Sequence, residues 1–175
     1  MKACIALFAA LACCANAAQA DGAMHIDLGR GHFVIEADET VETLNIDTVD
    51  QPGACRQVLA AQTVDSSRID VRPTLADCRS DQYAIVRINP HWQSALALQL
   101  AAGQIDFAPS FMRQIASVDA TVNAGDIFGV NGVERRWLVG ARVHVERQQP
   151  GMAVTVRVAA GQVSFAPDPG ITATH

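Results

Sequence analysis

Lysine is almost absent from this sequence. Lys2 is the only one, so every other basic residue is an arginine, and the formal net charge at pH 7 is −5. Proteins that bind nucleic acid carry a basic patch or stripe that neutralises phosphates. No run of basic residues occurs here. The composition therefore argues against nucleic acid as a partner.

The motifs of common catalytic and cofactor sites are also missing. The chain contains no G-x-S-x-G, no phosphate-binding glycine loop and no H-E-x-x-H. Its five histidines are scattered, and none stands two or four positions from another, the spacing of a local metal site. We therefore predict no catalytic residue, no cofactor and no metal ligand, and a function that is not enzymatic.

A long apolar run occurs only near the start of the chain. Lys2 precedes small and apolar residues from Ala3 to Cys14, and Ala18-Gln19-Ala20 fits the small-x-small pattern of a signal-peptide cleavage site. The run is too short to cross a bilayer as a mature helix. We expect residues 1–20 to be a signal peptide and the protein to be exported to the periplasm or the extracellular space.

A lipid anchor is the alternative to simple secretion. Leu11-Ala12-Cys13-Cys14 resembles the lipobox of bacterial lipoproteins, although the residues around either cysteine fit it imperfectly. Attachment to a membrane is expected only if Cys13 or Cys14 is lipidated.

Cysteine is scarce beyond the signal segment. Of the five cysteines, only Cys55 and Cys78 lie after residue 20. Two cysteines in an oxidising compartment most simply form one disulfide. The pair also lacks the close C-x-x-C spacing of most redox and metal sites. We therefore predict a structural disulfide between Cys55 and Cys78.

One stretch of the chain occurs twice. Leu96–Pro109 (LALQLAAGQIDFAP) and Val154–Pro167 (VTVRVAAGQVSFAP) are identical at seven of fourteen positions. Alternating aliphatic residues predict a strand with one buried face, and the glycine marks a sharp corner or a close approach of backbones. Each copy therefore predicts a strand, a corner at the glycine and a second, shorter strand. Internal duplication explains the likeness, and convergence of ordinary strand–turn patterns is the alternative.

Weaker copies of this unit have their glycines at Gly125 and Gly31. In the first of these, Gly129 stands where the clear copies have an aromatic residue. The predicted structural residues of the repeat are Gly103, Phe107, Gly125, Gly161 and Phe165. We expect the two phenylalanines to stack in adjacent units and to bury large apolar areas.

The remaining segments also predict strands. Residues 137–146 alternate, with Val139, Ala141, Val143 and Val145 expected on one buried face. Residues 55–63 fit either a short helix or a pairing strand. We predict one all-β domain over 21–175, with a less regular half at 21–90, a repeat-bearing half at 91–167 and a tail at 168–175.

The corners Gly103-Gln104-Ile105, Gly125-Asp126-Ile127 and Gly161-Gln162-Val163 resemble those of bacterial putative adhesin domains, including the heads of auto-transporter adhesins. The resemblance covers about residues 94–167. It implies a short single-stranded β-solenoid or β-roll of stacked units, without catalytic residues. An antiparallel β-sandwich is the alternative architecture.

The candidate contact patch is Arg135, Arg136 and Trp137, because arginine and tryptophan are enriched in binding hot spots. The expected function is that of an exported, non-catalytic envelope protein, a binding or adhesin-like module with an unidentified surface partner. The alternatives are a periplasmic enzyme of carbohydrate-active type with a dispersed site, and a membrane-anchored accessory lipoprotein. The oligomeric state is left open.

Overall fold

The computed structural model describes residues 23–48, 59–65, 67–73, 83–136 and 139–166. Over these ranges the expected all-β class is confirmed, because eleven strands form one open mixed sheet and the single helix has four residues. The expected signal peptide, Cys55, Cys78, Trp137 and the tail at 168–175 lie outside the described residues.

The strands are long in the middle of the sheet and short around it. In chain order the elements are β1 (Met24–Asp27), β2 (Arg30–Ala37), β3 (Leu44–Thr48), β4 (Leu59–Asp65), β5 (Arg68–Pro73), β6 (Tyr83–Ile88), β7 (Ala95–Phe107), α1 (Pro109–Met112), β8 (Ile115–Phe128), β9 (Glu134–Arg136), β10 (Gly140–Glu146) and β11 (Met152–Phe165).

The centre of the sheet is parallel. Its hydrogen-bonded order is β3-β6-β2-β7-β11-β8-β10-β9, in which β6, β2, β7, β11 and β8 run the same way. β3 and β10 pair antiparallel at the two ends of this run. β1 is also parallel to β7, and β5 and then β4 continue the sheet from β1. β7 and β8 follow each other in the chain but are separated in space by β11.

Each long strand changes its buried side at a glycine. In β7 the buried positions include Leu98 and Leu100 before Gly103, and Ile105 and Phe107 after it. Successive side chains of a strand point to opposite faces, so the odd interval between Leu100 and Ile105 places them on opposite sides of the strand. Both nevertheless face the core, because the strand bends at the glycine. The same interval recurs at Leu28 and Phe33, Val122 and Ile127, and Val158 and Val163.

These corners divide the sheet into two halves. The first half contains β1, β4, β5, β10 and the parts of β7, β8 and β11 before their glycines, and the second contains β2, β3, β6 and the parts after them. The inward side chains of both halves form a single hydrophobic cluster. Burial of apolar surface is the main stabilising contribution, and it joins the halves into one unit. The largest fully buried side chains are Phe33, Phe107, Phe111 and Phe165.

The four corner glycines lie side by side across the parallel strands. Their order is Gly31, Gly103, Gly161 and Gly125, each in register with the next. Their φ angles lie between 128° and 145°, a region that is nearly restricted to glycine. A Cβ atom on Gly161 would overlap the carbonyl oxygen of Gly103, and one on Gly125 would overlap that of Gly161. Conformation and backbone approach both require glycine here.

The segment at 55–63, which fitted either helix or strand, contains strand β4 from Leu59 onward. β4 pairs antiparallel with β5, and Asp65 Oδ1 at the end of β4 accepts hydrogen bonds from the N–H and the hydroxyl of Ser67, at 2.7 and 2.8 Å. Helix propensity is weak over so few residues, and pairing with a neighbouring strand overrides it.

The expected burial of Val139 is wrong. β10 begins at Gly140, and Val139 is 61% exposed, whereas Ala141 and Val143 are buried as expected. Just before β10, the Val139 carbonyl accepts a hydrogen bond from the N–H of Gly125, the corner glycine of β8, at 2.7 Å. The backbone of this residue is used in the contact, and its side chain is left in solvent.

Candidate functional site

The outward side of the second half carries two rows of side chains, the first polar and the second mixed, and we name it the polar face. Residues one position after the corner glycines form the first row, and residues three positions after them form the second. Because the parallel strands are in register, equivalent positions are neighbours. With the adjoining residues of β6, the first row is Tyr83, His32, Gln104, Gln162 and Asp126, and the second is Ile85, Val34, Asp106, Ser164 and Phe128.

His32 and Asp106 join two neighbouring strands of the polar face. Nε2 of His32 on β2 lies 2.5 Å from Oδ2 of Asp106 on β7. The other carboxylate oxygen accepts a hydrogen bond from Gln104 Nε2 at 2.8 Å. The ring of Tyr83 meets the His32 ring edge-on, with centroids 4.7 Å apart. The side chains of His32 and Asp106 are 34% and 28% exposed, so the pair is held in place and still reached by solvent.

Arg87 of β6 contacts three carboxylates at the end of the polar face. It hydrogen-bonds Asp47 of β3, and its Nε lies 3.5 Å from Glu36 Oε2 and 3.9 Å from Asp38 Oδ2. The hydrogen bond to Asp47, and then the charges of Asp47, Glu36 and Asp38, raise the pKa of the Arg87 guanidinium above its usual value. Three carboxylates against one guanidinium leave this end of the face negatively charged.

In the His32–Asp106 pair, the carboxylate of Asp106 fixes the orientation of the His32 imidazole. An imidazole held by a carboxylate can transfer a proton, but hydrolysis also needs a nucleophile or a second carboxylate beside it. Gln104 hydrogen-bonds Asp106 and the ring of Tyr83 contacts His32, so they add hydrogen bonding and aromatic contact to the pair. Ser164 of β11 is the in-register neighbour of Asp106. Hydrogen-bonding and aromatic groups of this kind are suited to binding a ligand. No group of three or more metal-ligating side chains able to hold an ion occurs among the described residues.

The predicted contact patch adjoins the far edge of the polar face. Arg135 on β9 places its Nη2 3.1 Å from Oδ2 of Asp126, and its side chain is 78% exposed. Arg136 ends β9, but its side chain and all of Trp137 lie outside the described part of the chain. The Arg135–Asp126 contact therefore connects the patch to the first row of the polar face.

The predicted aromatic residues lie in the core beneath this face. Phe107 and Phe165 are in register on β7 and β11, and their rings stack with centroids 5.0 Å apart and an interplanar angle of 6°. The ring of Phe111 in α1 also stacks on the ring of Phe107, with centroids 5.6 Å apart. Gly129, which replaces the aromatic residue in the weaker unit, lies so close to β11 that a Cβ atom would overlap the carbonyl oxygen of Phe165.

Two further pairs of chemically active residues fall on different halves of the sheet. Asp70 lies in the first half, where Arg68 Nε donates a hydrogen bond to its Oδ1 at 3.0 Å, and Asp106 lies in the second. His25 is on the first half and His32 on the second. The fold therefore does not bring these two carboxylates or these two imidazoles together.

Sequence reasoning missed the contact between His32 and Asp106. A signal was present, because His32 stands one residue after Gly31 and Asp106 stands three residues after Gly103. Aligning the glycines places the two side chains in adjacent rows of one outward face. That alignment does not say which strands are neighbours, so it could not select this pair from the other polar residues at equivalent offsets.

No protein-family model matches this chain, and no curated protein matches it. A solved structure that does match is that of a putative cell adhesion protein from Clostridium sporogenes. It is 10% identical, the match covers 84% of this chain and 94% of that one, and the TM-score is 0.37. This likeness is too weak to establish a fold or a function. In the described residues, no helix is long and apolar enough to cross a membrane.

Proposed function

We propose that this chain is an exported, non-catalytic binding module of the bacterial envelope and that the polar face is its contact surface. The observation that carries the proposal is the cluster of His32, Asp106 and Gln104. Side chains from two neighbouring strands are fixed by mutual hydrogen bonds and remain partly exposed. Groups fixed in advance lose little conformational entropy on binding, and a rigid sheet keeps their spacing.

Export is part of the same proposal, and it rests on the sequence. The pattern of residues 1–20 supports a cleaved signal peptide. A Cys55–Cys78 disulfide is consistent with an oxidising compartment. Lipidation at Cys13 or Cys14 would instead tether the same domain to a membrane and favour the accessory-lipoprotein alternative.

For the architecture, we propose a short β-roll that arose by duplication of the strand–glycine corner–strand unit. In support, β7 and β11 pair in register from Ala95 and Ala153 to Phe107 and Phe165, with glycine beside glycine at the corner. Two features depart from a simple β-solenoid. β11 is inserted between β7 and β8, and antiparallel strands flank the parallel centre, as they would in a sandwich.

The contact surface is tested with arrays of glycans and of immobilised envelope and extracellular-matrix proteins. Asp106→Asn keeps the shape of the side chain but removes the charge that holds His32. We expect this variant to bind at least about tenfold more weakly, which corresponds to about 1.4 kcal/mol. Asp119→Asn is the matched control, because Asp119 lies on the outward side of the first half and pairs with Arg142 at 2.9 Å. Equal binding by both variants would contradict the assignment of the polar face.

The His32–Asp106 pair is also the observation that favours a second candidate, a periplasmic carbohydrate-active enzyme. Any glycan retained on the array would be incubated with the protein and assayed for new reducing ends. Turnover that is lost in Asp106→Asn and kept in Asp119→Asn would replace the binding module with this enzyme.

Export is tested by intact mass spectrometry of the protein from its native envelope fraction, with and without reductant. We expect a chain that begins at Asp21 and gains the mass of two hydrogens on reduction. A mass that includes lipid on Cys13 or Cys14 would overturn simple secretion.

A further inference from the structure

The link between β8 and β9 contains an asparagine followed by a glycine. Asn131 is the only asparagine of the sequence that precedes a glycine. Asn131 and Gly132 are both exposed, and among the described residues nothing lies within 4 Å of where a Cβ atom of Gly132 would be. The φ of Gly132 is 78°, which is typical of a glycine in a turn. The side chain of Asn131 and the backbone of Gly132 are therefore both open to solvent.

The two ends of this link are held by the sheet, and its middle belongs to no strand. β8 ends at Phe128, and a Cβ atom on Gly129 would overlap the backbone of β11. β9 begins at Glu134 and pairs with β10. Asn131 and Gly132 lie between these positions, outside every described strand. A segment outside the hydrogen-bond ladder can change its backbone angles more easily than a paired strand can.

We propose that Asn131 is a site of spontaneous deamidation in the folded protein. The backbone nitrogen of Gly132 attacks Cγ of Asn131 and loses its proton, the Cγ–Nδ2 bond breaks, and a cyclic succinimide forms. Nδ2 leaves as ammonia. Water then opens the ring at one of its two carbonyl carbons. Opening at Cγ gives aspartate, and opening at the main-chain carbonyl carbon gives isoaspartate, in which the main chain continues through the side chain.

Glycine is the following residue that favours this reaction most. No β-carbon stands beside its nitrogen to obstruct the approach of Cγ, and its backbone reaches conformations that other residues avoid. The other asparagines in the described part of the chain lack this neighbour. Asn123 is exposed but lies within β8 and precedes Ala124. Asn45 lies within β3 and precedes the branched Ile46. Asn89 precedes a proline, whose nitrogen has no proton to lose.

Both products add a negative charge to the link, and isoaspartate also lengthens its main chain by a methylene. Arg135, on the strand that follows the link, belongs to the predicted contact patch and pairs with Asp126 at 3.1 Å. Deamidation would therefore change the charge and the backbone of the segment that leads into this patch. An effect on binding rests on the proposed function, whereas the reaction at Asn131 does not depend on it.

The test is peptide mapping by mass spectrometry of protein expressed from the full chain, incubated at mildly alkaline pH and sampled over several weeks. The reaction replaces ammonia by water, so the peptide that contains Asn131 should gain the difference between their masses. We expect Asn131 to react at least about tenfold faster than Asn123, which corresponds to about 1.4 kcal/mol in activation free energy. Gly132→Ala should slow the reaction at Asn131, because its methyl group obstructs the attack, and should leave the rate at Asn123 unchanged.

A sample unfolded in urea separates the effect of the fold from that of the Asn131-Gly132 dipeptide. Because the fold leaves this site open, Asn131 should react in the folded protein within about tenfold of its rate in the unfolded chain. Circular dichroism establishes that Gly132→Ala is folded, and the wild-type comparisons carry the test if it is not. A reaction at Asn131 that is no faster than at Asn123, or that occurs only in the unfolded chain, would overturn the proposal.

Discussion

Gly161→Ala is the substitution that most directly tests how the sheet bends. Gly161 lies in the middle of the corner stack, between Gly103 and Gly125, with a φ of 139°. An added Cβ atom would overlap the carbonyl oxygen of Gly103. The alanine therefore meets two separate obstacles, an unfavourable backbone conformation and a neighbouring strand that occupies the space.

The expected loss follows from these two obstacles. A non-glycine residue in this part of conformational space costs about 1–3 kcal/mol. Forcing a methyl group into a close-packed site costs about a further 1–3 kcal/mol, because β7 and β11 must move apart. We expect Gly161→Ala to lower the free energy of unfolding by about 2–6 kcal/mol, a large part of the roughly 5–15 kcal/mol typical of a domain.

Gly132→Ala is the matched control. Gly132 also has a positive φ, 78°, but nothing lies within 4 Å of where its Cβ would be. Only the conformational cost of about 1–2 kcal/mol should remain there. Urea unfolding followed by circular dichroism, with linear extrapolation, measures both variants. If Gly161→Ala is no more destabilising than Gly132→Ala, close approach of the stacked backbones does not explain these glycines.

Three further predictions concern other parts of the molecule. Phe165→Ala removes a buried ring from the aromatic stack and should cost about 3–5 kcal/mol, so an unchanged melting curve would show that this ring is not part of the core. Replacing Cys55 and Cys78 together by serine should lower the stability of the oxidised protein by about 2–4 kcal/mol, and no loss would contradict the predicted disulfide. The hydroxyl and the backbone N–H of Thr40 lower the pKa of Asp38, so the stability that this carboxylate contributes is present above its unfolded pKa and is lost as pH falls through the folded value. Thr40→Ala should move the pKa of Asp38 back toward its usual value in an NMR titration, and an unmoved pKa would rule out this hydroxyl as the main cause.

The sequence predicts which side chains of the central strands are buried, because successive side chains of a strand point to opposite faces. Leu98 and Leu100 in β7 and Val156 and Val158 in β11 occupy the buried alternate positions that their pattern indicates. Val139 shows the limit of this rule. Its sequence fits the same alternation, but β10 begins only at Gly140, so Val139 occupies no strand position and its side chain is exposed.

The contact between His32 and Asp106 could not be predicted for a different reason. Each residue has a readable offset from its glycine, but the two are 74 positions apart in the chain. They meet because β2 is the neighbour of β7. That adjacency depends on which apolar surfaces cover each other in the folded core, and no local pattern contains it.

The sequence by itself determined that this protein is all-β, which residues of its central strands face inward, and where glycine is indispensable. These properties follow from side-chain alternation and backbone stereochemistry, which act over a few residues. Only the tertiary structure decided that β11 lies between β7 and β8 and that the polar face brings His32, Asp106 and Gln104 together. Each of these depends on contacts between distant segments, and distant contacts are selected by the packing of the whole core.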